Sequence, residues 1–88
     1  MVYLICYELS KSPRSYNALF KEIKKIGENL KIIDGLYMVE SKESASNIYF
    51  KLKPFIKEED NLLVVQGGHD WFGFLPLDKL YWIQKVVG

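Results

Sequence analysis

Residues 30–41 read LKIIDGLYMVES, and this stretch decides the fold. Leu30 to Ile33 and Leu36 to Ser41 are short apolar runs, and only Asp34-Gly35 separates them. Asp-Gly between two strand-like runs is among the stronger hairpin signals, because glycine accepts the backbone angles of a tight reversal. The chain therefore carries a two-stranded hairpin near its middle.

On the N-terminal side of the hairpin lies an amphipathic helix. Ser12-Pro13 supplies a serine cap and a proline in the first turn, and Gly27 ends the helix. Tyr16, Leu19, Phe20, Ile23 and Ile26 form one apolar stripe, while Lys21, Lys24, Lys25 and Glu28 fall largely on the wet side. Before the helix, Val2 to Leu9 is an apolar run broken only by Glu8. It is too short for a helix and rich in strand formers, so it reads as a central strand. Alternation sends Val2, Leu4 and Cys6 to one face and Tyr3, Ile5 and Tyr7 to the other. Both faces are apolar. Helices cover one, and a second copy of the chain is expected on the other, with Tyr3, Ile5 and Tyr7 at the dimer interface.

On the C-terminal side, Ser41 to Ser44 can cap a second helix whose stripe is Ala45, Ile48, Tyr49, Leu52 and Phe55 or Ile56. Pro54 falls near its end. Lys57 to Asn61 is a charged loop, Leu62 to Gln66 a further strand, and Gly67-Gly68 closes it. The order is strand, helix, hairpin, helix, strand. This is the split βαβ pattern of a ferredoxin-like α+β domain: an antiparallel sheet with two helices on one face, over residues 1–88 as one domain. The tail from Leu77 to Val87 is a C-terminal extension, a short helix or an edge strand. Its helical stripe would be Leu77, Leu80, Tyr81, Gln84 and Val87.

With 88 residues there is room for one core, and a domain of this size buries only about 60% of its unfolded surface. Thirteen aromatic residues are more apolar surface than a small monomer hides easily, which favours a homodimer. A net charge of +1 gives no global field, so any nucleic-acid binding needs a local basic patch. Cys6 has no partner for an internal disulfide and reads as a small core residue in a reducing compartment. The chain starts without a basic leader, and no apolar run approaches the roughly 20 residues of a membrane span. The expectation is a soluble cytoplasmic protein with no membrane partner.

Three groups of residues can carry chemistry. Glu8 sits where a strand ends beside a helix start, a place where sheets display functional groups. A single carboxylate holds Mg²⁺ poorly, since that ion wants several hard oxygens, but Glu8 facing its own copy across a two-fold axis would supply two. Lys11, Arg14, Lys21, Lys24 and Lys25 form the one local cationic concentration, a candidate nucleic-acid-binding strip. His69-Asp70 suggests a general base, yet no nucleophile lies near it in sequence. Metal-ligand spacing, a phosphate-cradling glycine loop and a nucleophile elbow are all absent.

Tyr7-Glu8-Leu9, a polar turn with Arg14 and Tyr16, and a helix closing on Ile26-Gly27 resemble the opening of the small CRISPR-associated protein that partners the spacer integrase. Leu36 to Glu40 resembles that family's third strand, and Glu59-Asp60 before Leu62 its acidic lead into the fourth. The likeness is closer still to SinR-like proteins, which share the Tyr-acid-Leu start, a Pro-Arg/Asn-Tyr helix start and a Trp-x-Gly-Phe tail, here Trp71 to Phe74. The resemblance implies a ferredoxin-like two-fold dimer. In the CRISPR-associated family and in VapD-type toxin ribonucleases the matching acid is an aspartate linked to magnesium-dependent nuclease activity. Glu8 is one methylene longer. The expected function is therefore a dimeric binding or scaffold module that contacts nucleic acid or a protein partner without turnover, in defence or anti-defence, and requires no cofactor. The alternative is a Mg²⁺-dependent endoribonuclease with paired Glu8 as catalytic residue and metal ligand.

Overall fold

The computed structural model describes residues 1–88. Strand β1 (Val2–Glu8) leads through a 3₁₀ turn (Pro13–Tyr16) into helix α1 (Asn17–Ile26). The hairpin is β2 (Asn29–Ile33) and β3 (Leu36–Glu40). Helix α2 (Ala45–Leu52) runs on into a 3₁₀ turn (Lys53–Phe55), and β4 (Asn61–Gln66) and helix α3 (Leu77–Val87) complete the chain. The class is α+β: a four-stranded antiparallel sheet with three helices.

The strand order is β2-β3-β1-β4, with every neighbouring pair antiparallel. Consequently β1 and β2, which α1 connects, run parallel with β3 between them. Likewise β3 and β4, which α2 connects, run parallel with β1 between them. Each helix spans a gap of one strand, and the two βαβ units interlock. The doubly apolar β1 takes a central position, as a strand with two faces to cover must.

Register assigns the faces, because cross-strand partners share one. Tyr3 lies opposite Val39, and Ile5 lies opposite Tyr37 and Val64. On this side Tyr3, Ile5, Tyr37 and Val39 pack with Tyr16, Leu19, Ile23, Ile48 and Leu52 from the helical segments. The interface expected at Tyr3, Ile5 and Tyr7 is thus corrected: Tyr3 and Ile5 are 2% and 0% exposed, and Tyr7 packs against the same core. The apolar stripes of α1 and α2 both need a sheet surface, and this is the face they take.

The opposite face belongs to α3. Val2, Ile32 and Met38 are buried there with Ile83, and Leu4, Trp71, Leu75, Trp82, Val86 and Val87 pack around them. The tail is therefore a helix. Its inward stripe also differs from the expected one, for Leu77 and Tyr81 are 65% and 66% exposed. Trp82, Ile83, Val86 and Val87 offer more apolar volume, and the helix is rotated to bury them. This cluster draws on β1, β2 and β3 and stops short of β4, so Leu63 and Val65 stay exposed.

Local geometry at the chain reversals sets how the helices meet the sheet. Gly35 has φ +84°, whereas Asp34 has a negative φ, so the hairpin is not the type I′ turn that needs positive φ at both residues. A β carbon at Gly35 would also stand 2.9 Å from the Tyr7 carbonyl oxygen. The Tyr7 amide donates to the Gly35 carbonyl at 2.9 Å, which pins the turn against the end of β1. At the start of α1 the Ser12 side chain makes no capping bond, and the helix opens instead as the Pro13–Tyr16 3₁₀ turn. Ser44 does cap α2, accepting from the Asn47 amide at 3.1 Å. No helix is long and apolar enough to cross a membrane.

Candidate functional site

Three aromatic rings meet where β1, β3 and α1 converge. Alternation along β1 directs Tyr7 toward α1, Phe20 follows Tyr16 by one helical turn, and Tyr37 lies on the same face of β3. Ring centroids are 5.9 Å apart for Tyr7–Phe20, 6.3 Å for Tyr7–Tyr37 and 6.2 Å for Phe20–Tyr37. These rings form one wall of an open pocket of about 520 Å³. Asn17, Lys21 and Lys24, spaced along one side of α1, form another, and Lys31 with the Asp34-Gly35 turn closes the far end. Neither the Tyr7 nor the Tyr37 hydroxyl is left buried without a hydrogen-bond partner.

The pocket is electropositive. Lys21 and Lys24 are exposed and form no ion pair, whereas Lys31 contacts the Asp34 carboxylate at 2.9 Å. That hydrogen bond holds the Lys31 ammonium above the ordinary lysine pKa. It also draws the Asp34 carboxyl below its usual range, with the Lys31 and Lys79 charges adding to the effect. Burial pushes the Tyr7 hydroxyl up, and the nearby Lys31 charge opposes this. An anion placed here meets two free ammonium groups and a third that is already engaged.

The expected cationic strip is brought together only in part. Lys21 and Lys24 line the pocket; Lys25, one residue on and 100° around the helix, pairs with Glu22 at 3.1 Å. Lys11 and Arg14 lie in the exposed segment between β1 and α1, which reaches the pocket through Leu9 and Pro13, but neither lines it. Lys31 and the ring cluster escape the sequence reading. The available signal was alternation in β2: Leu30 and Ile32 face α3, so Lys31 must face α1, where it lies opposite Tyr37.

Glu8 is exposed at the end of β1, and its carboxylate accepts from the Asn61 side-chain amide at 2.9 Å. It shares a shallow depression with Asp34, but Asp34 is committed to Lys31. No three His, Cys, Asp or Glu side chains come together anywhere in the chain. Within one chain Glu8 is the one carboxylate of this depression not paired with a lysine, so an ion held there would take most of its oxygens from water or a bound phosphate. His69 and Asp70 are exposed, and no hydrogen bond joins them.

A second polar centre holds the site's scaffold. Asp60 Oδ1 accepts from the Ser10 amide (2.7 Å), the Ser10 hydroxyl (2.8 Å) and the Tyr16 hydroxyl (2.8 Å), and Oδ2 accepts from the Lys57 amide (2.7 Å). Burial pushes the Asp60 carboxyl up, but these donors together overcome that and hold it well below the usual carboxylate range. The Lys57 ammonium lies over the Tyr16 ring, 4.2 Å from its centroid. Asp60 thereby ties the start of β4 to the β1–α1 segment and fixes how α1 leaves the sheet. In the sequence residues 57–61 read as a charged loop, with Glu59-Asp60 resembling an acidic lead into the last strand, and neither reading reveals this clasp.

Compared with protein-family models and with curated proteins, the chain finds no match in either.

Proposed function

We propose that this chain is a binding module that holds single-stranded nucleic acid, without turnover, at the pocket between α1 and the β2–β3 turn. One observation carries the reading: Lys21, Lys24 and Lys31 converge on a pocket walled by Tyr7, Phe20 and Tyr37. Single strands are held by this pairing of groups, cations on the phosphates and aromatic faces against the unstacked bases. A duplex would need a longer basic track, and the net charge of +1 offers none.

The reading includes a ferredoxin-like fold and kinship with the small CRISPR-associated and SinR-like proteins. Its support is the strand order read from the other edge, β4-β1-β3-β2, with α1 and α2 on one face, and Tyr7-Glu8-Leu9 at the end of β1. It also includes pairing of two chains, now through the α3 side, where Leu63, Val65, Phe72 and Phe74 are exposed.

Fluorescence anisotropy with labelled oligouridine tests the reading. Lys21→Ala with Lys24→Ala should weaken binding at least tenfold, and Lys53→Ala, remote from the pocket, should leave it unchanged. With two or three phosphates neutralised, the slope of log K against log salt should be about −1.5 to −2. Absence of binding at low salt overturns the reading. Cleavage of the oligonucleotide with Mg²⁺, lost in Glu8→Gln, would replace it with the paired-Glu8 ribonuclease.

A further inference from the structure

Resting on that reading, we propose that the pocket selects a terminal phosphate monoester on a nucleoside, a dianion able to displace Asp34 from Lys31 where a diester is not. Charge is the first ground. Three lysines stand against one aspartate in the pocket lining, which leaves two positive charges uncompensated. A phosphate monoester carries about −1.5 to −2 at neutral pH and matches that excess. An internal phosphodiester carries a single charge and leaves the excess half met.

Size points the same way. About 520 Å³ is the scale of a small-ligand site and accommodates one nucleotide rather than a run of them. A strand passing through would also carry its next phosphate past Asp34, whose carboxylate is fully exposed at the turn. The Tyr7 amide donates to the Gly35 carbonyl, which keeps the turn, and with it Asp34, beside the pocket lysines. The pair of Asp34 with Lys31, with both side chains open to water, is of the weak surface kind that a more highly charged group can replace. Tyr7 and Phe20 remain beside the lysines to receive the base.

Titrations with 5′-phosphorylated pentauridine, 5′-hydroxyl pentauridine and adenosine 5′-monophosphate test the idea, with Asp34→Asn as the variant. Asn-Gly is as good a turn as Asp-Gly, and an unchanged circular dichroism spectrum and Tm would verify the fold. The wild type should bind the 5′-phosphorylated strand about tenfold more tightly than the 5′-hydroxyl strand. Asp34→Asn spares the dianion that displacement, so it should tighten the 5′-phosphorylated strand about three- to fivefold and the 5′-hydroxyl strand by less. Glu43→Gln, at a distant ion pair with Lys51, should change neither affinity. Binding of adenosine 5′-monophosphate would place the selectivity in the single nucleotide; its failure beside a tight phosphorylated strand would assign it to strand ends. Equal wild-type affinity for the two strands overturns this inference and leaves the binding function standing. An unchanged preference in Asp34→Asn removes Asp34 from it. No binding of any of the three overturns both.

Discussion

The two faces of the sheet are closed to very different degrees. Beneath α1 and α2, nine side chains are buried, eight of them at 2% exposure or less. Beneath α3 four are buried, at 4% to 7%. The first face is covered by two helices whose connections thread back into the sheet, so they cannot leave without unmaking it. The second is covered by one terminal helix, which leaves the β4 side bare. Most of the stability therefore resides on the first face, and the second has surface left for contacts with other molecules. The proposed binding pocket lies at the rim of the closed face, where a rigid floor can hold lysines and rings in fixed relation.

Leu52→Ala and Ile83→Ala set the two faces against each other. Leu52 is fully buried and Ile83 is 5% exposed on the thinner side. Chemical denaturation should show a loss of about 3–4 kcal/mol for Leu52→Ala and about 2 kcal/mol for Ile83→Ala, since a site that can relax costs less. Equal losses would mean that α3 is as integral as α2, and the contrast would fail.

Gly27→Ala probes the link between α1 and β2. A β carbon there would overlap the Glu40 carbonyl oxygen, a backbone atom that cannot move without shifting β3. The Glu40 amide also donates to the Glu28 carbonyl at 2.8 Å, so the strain would spread into the sheet. The expected loss is about 2 kcal/mol, comparable to other overpacked positions. A loss below about 0.5 kcal/mol would show that this connection has slack, and the closed face would be less rigid than its burial suggests.

Asp60→Asn comes next in size. Removing a charged acceptor from several donors costs about 1–2 kcal/mol, toward the lower end here because the group is partly exposed. Its pKa in the folded protein lies below that of the unfolded chain, near 3.9. Between those two values the unfolded state binds more protons, so stability rises with pH. The contribution is complete above about pH 5, begins to fall below about pH 4, and disappears as the pH passes the folded value. Thermal melts from pH 7 to pH 2.5 should show a steeper acid loss in the wild type than in Asp60→Asn. Parallel curves would mean that Asp60 does not carry the clasp.

The closed face also separates what the sequence reveals from what it hides. The hairpin at Leu30 to Ser41, the two amphipathic helices and the central β1 were legible because each rests on local periodicity and on turn residues. The assignment of faces was not, since β1 is apolar on both sides and alternation alone cannot say which side α1 and α2 take. The orientation of α3 was misread for a related reason: Leu77 and Tyr81 fit a helical stripe as well as Trp82 and Val86 do. In the candidate site, Lys21 and Lys24 could be named from their spacing. Lys31 and Tyr37 needed the hairpin register, and the Asp60 centre joins residues 44 to 50 positions apart. Long-range pairing of that kind leaves no periodic trace.

The smallest effect on stability is expected at the most exposed aromatic residues. Phe72 and Phe74 are 104% and 95% exposed on the segment that leads into α3. They bury nothing in one chain, so Phe72→Ser with Phe74→Ser should change the unfolding free energy by no more than about 0.5 kcal/mol. Their consequence lies in association. A buried aromatic side chain contributes roughly 150–250 Å², so two from each of two chains supply on the order of 600–1,000 Å². A stable interface needs about 1,200–2,000 Å² in total, and Leu63 and Val65 extend the same side of the sheet. Sedimentation velocity should therefore show the wild type paired and the double variant monomeric at equal concentration. A variant that stays paired would move the contact off the α3 side. A variant that unfolds easily would show that the segment packs on its own sheet, and that the second face is not open after all.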